Sequence, residues 1–279
     1  KGLRPGVLNG EAPSADLFAA AVAKPVRYGM KSGDLKAEKI KLTASGSSYQ
    51  VTTKEATYKI TCNLPGSFNV MNSLAAVGVG RAVGLTQREI ETGIASLKSV
   101  EGRMARIDEG QNFEVIIDYA HTPDSFKKIL YEIKPTVRDH LITVFGSAGR
   151  RDEAKRVEQG RIAAQYSDVV IATEEDDRDI DGKLILEQIA SGAEAEGKVR
   201  DQNLFLIHKR EEAVAAAIKM AKKGDVVLLL GKGHEKTILS NKPGIIHTEK
   251  DNFDEATMTV SRPYSEEETA RTALKKLKR

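Results

Sequence analysis

From residue 113 onward, short apolar runs alternate with amphipathic stretches. Apolar runs at Phe113–Ile117, Leu141–Phe145, Asp168–Thr173, Leu204–Ile207 and Val226–Leu230 read as strands. The intervening patterns at Asp124–Ile133, Asp152–Gln165, Lys183–Ala190 and Glu211–Lys222 read as helices. Nearly unbroken apolar runs suit strands covered on both faces, and their alternation with helices predicts an α/β fold: a doubly wound, mostly parallel, Rossmann-like sheet. The front of the chain follows another rhythm. Period-two alternation in Lys39–Thr43, Tyr49–Thr53 and Thr57–Thr61, with a turn at Gly46-Ser47-Ser48, predicts a small antiparallel meander ended by Leu64-Pro65-Gly66. Helices are expected at Phe68–Val83 and at Gln87–Leu97, the second opened by a capping box of Thr86 and Glu89. Asn241–Gly244 reads as a hairpin turn. Ser265–Arg279 reads as a solvated terminal helix whose acidic-then-basic order suits the helix dipole. The expected division is residues 1–102, part of one α/β domain; 103–262, the sheet domain; and 263–279, the charged helix.

Length and charge narrow the class. A chain of 279 residues is long enough for two separate cores. A formal charge of +3 is too small to argue for a nucleic-acid partner, and part of it sits at Lys275–Arg279. No apolar run approaches the ~20 residues of a membrane span, and Lys1–Gly6 lacks the order of a signal peptide. The single cysteine, Cys62, rules out an internal disulfide or a multi-cysteine zinc site and reads as a strand-buried thiol. A cytoplasmic enzyme, with no nucleic-acid or membrane partner, is the simplest expectation. A monomer is expected as well.

The candidate chemistry lies at strand ends. Asp118-Tyr119-Ala120-His121-Thr122-Pro123 brings an acid, a phenol and an imidazole to the carboxyl end of a strand, with Pro123 placed to start the next helix. Gly146–Asp152 combines glycines with Arg150 and Arg151, a pattern suited to anions and equally to a glycine-rich connection with solvated arginines. Lys155 and Arg156 continue the cluster onto the helix and read as surface charge. Glu174–Asp179 gathers five acids around Arg178. It could hold an amino-acid zwitterion or a divalent cation, and composition alone makes it an acidic surface loop. Gly231-Lys232-Gly233-His234-Glu235 imitates the end of a nucleotide phosphate loop but lacks both the upstream glycine and the Ser or Thr after the lysine. His121, Lys232 and His234 are the candidates for moving protons or charge, while His140, His208 and His247 read as structural. No zinc spacing and no metal site is read from the residues.

Taken together, these segments resemble the Mur ligases. Leu64-Pro65-Gly66-Ser67-Phe68-Asn69-Val70-Met71-Asn72 is similar to the family's Leu-Pro-Gly-x-Phe-Asn-x-x-Asn segment. Gly102-Arg103-Met104 is similar to the start of its C-terminal domain, Asp118–Pro123 to its Asp-Tyr-Ala-His-Thr-Pro turn, and Gly231–Glu235 to its Gly-Lys-Gly-His-Glu. Val7–Glu11 is similar to a strand end written Asn-x-Asp, so the resemblance spans about residues 5 to 250 in order. The group of closest resemblance adds a diamino acid to UDP-N-acetylmuramoyl-L-alanyl-D-glutamate, using ATP and Mg2+ through an acyl phosphate. The resemblance implies that this chain begins partway through the ATP-binding domain. The UDP-sugar domain, the phosphate loop and a carbamylated lysine would then lie upstream, and the fragment alone would be inactive.

The resemblance also implies roles. Asn69, Arg103, Asp118, Tyr119 and His121 would border the nucleotide. Arg151, Glu175, Asp176, Asp177, Arg178, Gly231 and Glu235 would meet the amino acid, with Arg151 and Arg178 on its distal carboxylate and Glu235 on its ammonium. Diaminopimelate-adding relatives carry Asp-Asn-Pro-Arg where this chain has Glu175-Asp176-Asp177-Arg178. The retained arginines favour meso-diaminopimelate, whereas the two extra acids would suit L-lysine. A folylpolyglutamate synthetase-like ligase and a non-catalytic amino-acid-binding module are the competing readings.

Overall fold

The structure is a computed structural model that describes residues 5–43, 46–242 and 258–277. The chain forms two compact units, Lys1–Val100 and Glu101–Arg279.

In the first unit, β1 (Pro5–Asn9), β2 (Lys24–Gly29) and β3 (Leu35–Lys36) form a parallel sheet, with the short helix α1 (Ala15–Ala20) between β1 and β2. The expected meander is present as antiparallel β4 (Glu38–Thr43), β5 (Gly46–Thr52) and β6 (Thr57–Cys62). The turn expected at Gly46-Ser47-Ser48 is corrected: these residues pair within the ladder, with Ser47 opposite Cys62. Helix α2 (Ser67–Ala82) turns Val70, Leu74 and Val77 onto a core shared with Leu35, Tyr49, Val51 and Ile60. Helix α3 (Gln87–Ser96) begins with the expected reciprocal cap of Thr86 and Glu89. Cys62 is buried.

The second unit is built on a six-stranded sheet. Its strands are β7 (Ala105–Arg106), β8 (Glu114–Asp118), β9 (Leu141–Phe145), β10 (Val169–Ala172), β11 (Leu204–Leu206) and β12 (Val226–Leu230). The spatial order is β11-β10-β9-β12-β8-β7, parallel throughout except where β7 pairs antiparallel with β8. Every residue of β9 and β12 is buried, which is why their apolar runs are unbroken. Helices α4 (Pro123–Ile133), α5 (Ala154–Tyr166) and α6 (Gly182–Ala195) contribute to one core, through Phe126, Leu130, Ile162 and Ile189. A short 3-10 turn, Lys134–Thr136, follows α4. Helices α7 (Arg210–Met220) and α8 (Glu266–Leu277) contribute to the other, through Val214, Ala217, Ala270 and Leu274. Two cores with separate helix sets make the sheet doubly wound.

The terminal helix is not simply solvated, because Glu266, Ala270 and Leu274 are buried and α8 packs on α7. A hairpin of β13 (Thr237–Asn241) and β14 (Thr259–Pro263) precedes it. Pro243 and Gly244 of the expected turn, and His247, lie outside the described residues.

Candidate functional site

The site is built at the carboxyl ends of β8, β10 and β12, where an open α/β sheet presents its ligand crevice. After β8, buried Asp118 organises its own turn: one carboxylate oxygen accepts from the Ala120 amide (2.8 Å), the other from the Met104 amide (2.9 Å). Burial pushes its pKa up, partly countered by these amides and by Arg103. Pro123 starts α4 at its N-terminus, and Thr122 and Ser125 cap it reciprocally, so the polar turn leads straight into a helix.

Tyr119 sits at the centre of the rim. The Arg103 guanidinium carbon lies 4.9 Å from the centre of its ring, the His121 ring 4.8 Å and the His234 ring 5.0 Å. His121 bonds through Nδ1 with the Tyr119 carbonyl oxygen (2.8 Å), fixing its ring. The Tyr119 hydroxyl donates to Glu235 Oε1 (2.9 Å). Burial and the neighbouring Glu235 carboxylate push the phenol up to about 12, so it remains a donor at neutral pH.

Beyond Tyr119 the β12 loop meets the β10 loop. Lys232 is only 1% exposed, and its ammonium reaches Glu235 Oε2 (2.6 Å) and Asp176 Oδ1 (3.0 Å). Asp176 Oδ1 also accepts from the Leu239 amide (2.8 Å). Burial would raise the Glu235 pKa, but the Lys232 ammonium and the Tyr119 hydroxyl outweigh it and hold Glu235 below the usual range. Gly231 has φ +103°, and a Cβ there would stand 2.7 Å from Glu175 Oε2, so glycine is needed for both reasons. Gly102, at φ +68°, would place a Cβ 2.2 Å from the His234 amide nitrogen, which locks the segment before β7 against the β12 loop.

The acidic loop is not a solvated surface loop: Glu174, Glu175, Asp177, Arg178 and Asp179 are all buried. Its charges are matched from other elements. Asp179 takes a forked pair of bonds from Arg150 (3.0 and 2.7 Å). Asp177 Oδ2 bonds to His208 Nε2 at 2.6 Å, and Glu174 pairs with Arg262 at 2.5 Å. Arg178, at φ +56°, donates through Nη1 to the Gly149 carbonyl (2.9 Å), so it clamps the β10 loop to the β9 loop. Glu175 is the exception. Its Oε2 is buried with no hydrogen-bond partner, and burial pushes its pKa up despite Lys155, Arg210 and Lys232 nearby.

The expected site residues therefore fall into three groups. Arg103, Asp118, Tyr119, His121, Gly231, Lys232, His234, Glu235 and Asp176 come together directly. Glu175 adjoins Gly231, Arg178 bridges the β9 and β10 loops, Asp177 turns to His208, and Arg151 is exposed in the turn before α5. Asn69 belongs to the first unit, where its amide donates to the Pro65 carbonyl (2.6 Å) and accepts from Asn72 (3.0 Å) beside a cavity of about 280 Å3. Lys155 and Arg156 are corrected from surface charge. Arg156 is fully buried on the Ala148 carbonyl and Gln188, and Lys155 is partly buried.

Sequence reasoning missed Arg210 and Glu266, a fully buried ion pair beneath the β10 and β12 loops. Their only local signal was a charge at the first turn of a helix. Glu174, Asp177 and His208 lie close enough to hold a cation. The donor set does not fit magnesium: an imidazole is a poor ligand for so hard an ion, and Arg262 and the Arg210 amide already occupy Glu174.

A doubly wound α/β domain carrying this rim, joined to a second α/β unit, defines a class of ligand-binding α/β proteins. Two family models identify it further: the Mur ligase middle domain matches residues 2–80, and the Mur ligase glutamate ligase domain matches residues 102–233. The chain belongs to the Mur ligase family. A UDP-N-acetylmuramyl-tripeptide synthetase of Treponema denticola is 42% identical over 285 aligned positions, covering 96% of this chain and 50% of that protein. A UDP-N-acetylmuramoyl-L-alanyl-D-glutamate--2,6-diaminopimelate ligase of Geobacillus kaustophilus is 40% identical, covering 82% and 46%. The chain spans about half the length of the curated relatives it matches. A solved structure of a UDP-N-acetylmuramoyl-L-alanyl-D-glutamate--2,6-diaminopimelate ligase shares the fold, with TM-score 0.55, 24% identity, and coverage of 99% of this chain and 54% of that one. No described helix is long and apolar enough to cross a membrane.

Proposed function

We propose that this chain forms the amino-acid-binding part of an ATP-dependent cytoplasmic ligase, acting as a monomer. It would join a diamino acid to the D-glutamate carboxyl group of UDP-N-acetylmuramoyl-L-alanyl-D-glutamate through an acyl phosphate. One observation carries the reading: the Arg103–Tyr119–Glu235–Lys232–Asp176 chain of contacts. It sets an ammonium acceptor, Glu235, one side chain away from an exposed guanidinium. An amine must attack an anion-derived carbonyl in this reaction, and holding both against their solvation and repulsion is the work of fixed charges. Arg103, stacked on Tyr119 and half exposed, faces the phosphate-bearing partner, with His121 and His234 beside it. Within the first unit, Asn69 is the residue assigned to the nucleotide. Glu235 accepts from the incoming ammonium. The reaction would also use Mg2+, which neutralises phosphate charge when bound.

The substrate favoured is meso-diaminopimelate. Asp176 and Asp177, the acids that depart from the relatives' pattern, already have Lys232 and His208 as partners and make no demand for a cationic side chain. Arg151 stays exposed to receive a distal carboxylate, on a loop that Arg178 clamps. The test is amino-acid-dependent phosphate release by the complete protein with diaminopimelate, lysine or glutamate. Diaminopimelate should be turned over best. Preference for lysine would overturn the substrate assignment, preference for glutamate would favour the folylpolyglutamate-type reading, and no release with any of them would overturn the ligase reading.

A further inference from the structure

Three donors of two kinds converge where the β10 loop meets the segment after β11. Glu174, Asp177 and His208 each offer a ligand atom within 4.8 Å of the others. Both acids are buried, whereas the His208 side chain is half exposed and has room to turn. Fixed cations leave the group underbalanced. Arg262 is shared between Glu174 and Glu211, and among the described residues Asp177 pairs with His208 alone. One guanidinium therefore serves three carboxylates whenever the imidazole is neutral.

The carboxyl groups also keep oxygens in reserve. Glu174 uses only Oε1, which accepts from Arg262 (2.5 Å) and from the Arg210 amide (3.0 Å). Asp177 uses Oδ2, on His208 Nε2 at 2.6 Å, and its Oδ1 is buried with no hydrogen-bond partner. The two oxygens of one carboxyl group sit side by side, so this orphan belongs to the same cluster. A buried oxygen with no donor is costly and calls for a partner. Space is kept open beside it by Gly182, the first residue of α6: a Cβ there would stand 2.0 Å from His208 Nε2 and 2.4 Å from Asp177 Oδ2.

We infer that Glu174, Asp177 and His208 form a binding site for a divalent transition cation of the zinc type, which ties the β10 loop to the segment after β11. The inference does not depend on the ligase reading. Two carboxylates and an imidazole are a zinc-like set, with the fourth position left to water on the exposed side of His208. Magnesium and calcium favour shells made of oxygens alone. A tetrahedral shell with ligands at about 2.0–2.1 Å keeps its donors about 3.3 Å apart, so His208 turns inward and its bond to Asp177 opens as the ion enters. His208 binds as the neutral imidazole, and any proton it carries is released to water. Arg262 stays on Glu174 Oε1 and orients that carboxylate from behind, as outer partners of metal ligands do.

The test is a cobalt(II) titration of the complete protein, free of affinity tag, nucleotide and magnesium, read as visible absorption in the parent and in His208→Gln. Half-exposed His208 tolerates glutamine, and circular dichroism checks that the variant is folded. The parent should develop a band that saturates near one equivalent and disappears on adding zinc, and His208→Gln should bind at least tenfold more weakly. Asp177→Asn, which keeps the shape and removes the charge, should weaken binding similarly. Zinc should raise the melting temperature of the parent more than that of His208→Gln. No band in the parent, equal cobalt affinity in His208→Gln, or equal zinc stabilisation of the two proteins overturns the inference. Displacement of cobalt by an equal concentration of magnesium overturns the assignment to a transition cation.

Discussion

Replacing Glu266 by glutamine tests what holds the site's floor together. The Arg210 guanidinium is fully buried and makes four bonds: two to Glu266 (2.8 and 2.9 Å), one to the Glu174 carbonyl (3.1 Å) and one to the Leu230 carbonyl (2.7 Å). Glu266 is itself 1% exposed and accepts from the Tyr264 hydroxyl at 2.8 Å. Glutamine keeps the shape and one acceptor oxygen but leaves a buried cation without its counter-ion and turns an amide NH2 toward it. Losing one partner of a buried pair costs about 3–5 kcal/mol. For a cooperative unit of about 180 residues, that cost lowers the melting temperature by roughly 8–13 °C. Thermal and urea unfolding followed by circular dichroism read it directly. The double variant Arg210→Met with Glu266→Leu, which leaves no unpaired charge, should regain more than half of the loss. A drop smaller than about 3 °C for Glu266→Gln would refute the idea that this pair anchors the terminal helix under the β10 and β12 loops.

Tyr119→Phe removes the hydroxyl that holds Glu235; losing a charge-assisted bond at this partly exposed position costs about 1.5 kcal/mol, so Tm should fall by roughly 4 °C and the KM for the amino acid should rise in the complete enzyme, and a KM unchanged from the parent would show that Glu235 needs no such anchor. Gly102→Ala forces a Cβ into the backbone of the β12 loop at a positive φ, so it should destabilise on the order of 2 kcal/mol or more by urea titration, and a neutral outcome would mean that the segment before β7 yields freely. His208 has a raised pKa, chiefly from its hydrogen bond to Asp177. Its contribution to stability is therefore fully present below the ordinary histidine value and is lost as pH rises through the raised one. The unfolding free energy should fall by a small amount, within about 1 kcal/mol, on going from neutral to mildly alkaline pH, as read by urea titration. His208→Gln should flatten that slope, and an unchanged slope would assign it to other groups.

How far the sequence alone reaches differs between core and rim. Leu141–Phe145 and Val226–Leu230 have the bounds their apolar runs suggest, because burial on both faces leaves no place for a polar residue. The parallel strands at Pro5–Asn9 and Lys24–Gly29 gave no periodic signal for the opposite reason: only Gly29 among them is fully buried, so their pattern carries neither alternation nor an apolar run, and the first showed only through the resemblance of Val7–Glu11 to a strand end. Of the antiparallel pair β13 and β14 only a turn from Asn241 was read, since Thr237, Ser240, Asn241, Ser261 and Arg262 hide the strand signal in polar composition. At the rim, the Asp118–His121 turn and the Gly231–Glu235 loop could be found because polar groups follow directly on strands. Local composition could not give their partners. Arg210 and Glu266 stand 56 residues apart, and each looks like an ordinary helix-terminal charge until the fold brings them together.

The same limit explains the acidic loop. Six consecutive charged residues read as a solvated face, because exposed charge is the cheapest arrangement when no partner is in sight. In the fold each acid but one meets a cation carried by a different segment: Arg262 for Glu174, Lys232 for Asp176, His208 for Asp177 and Arg150 for Asp179. Pairing of this kind gives little net stability, since desolvation consumes most of the attraction, but it makes the conformation specific, because any other arrangement strands a buried charge. The loop is thus defined by four elements at once, and Arg178 within it, like Arg150 in the loop after β9, holds a left-handed backbone conformation. Glu175, left without a partner at Oε2 and close to Gly231, is the one acid of the loop that is not paired with a cation, whereas Asp177, though its Oδ1 is also unpartnered, is held by His208 through Oδ2. Burial favours the neutral form of Glu175, so the loop carries one acid whose charge the fold does not need to match.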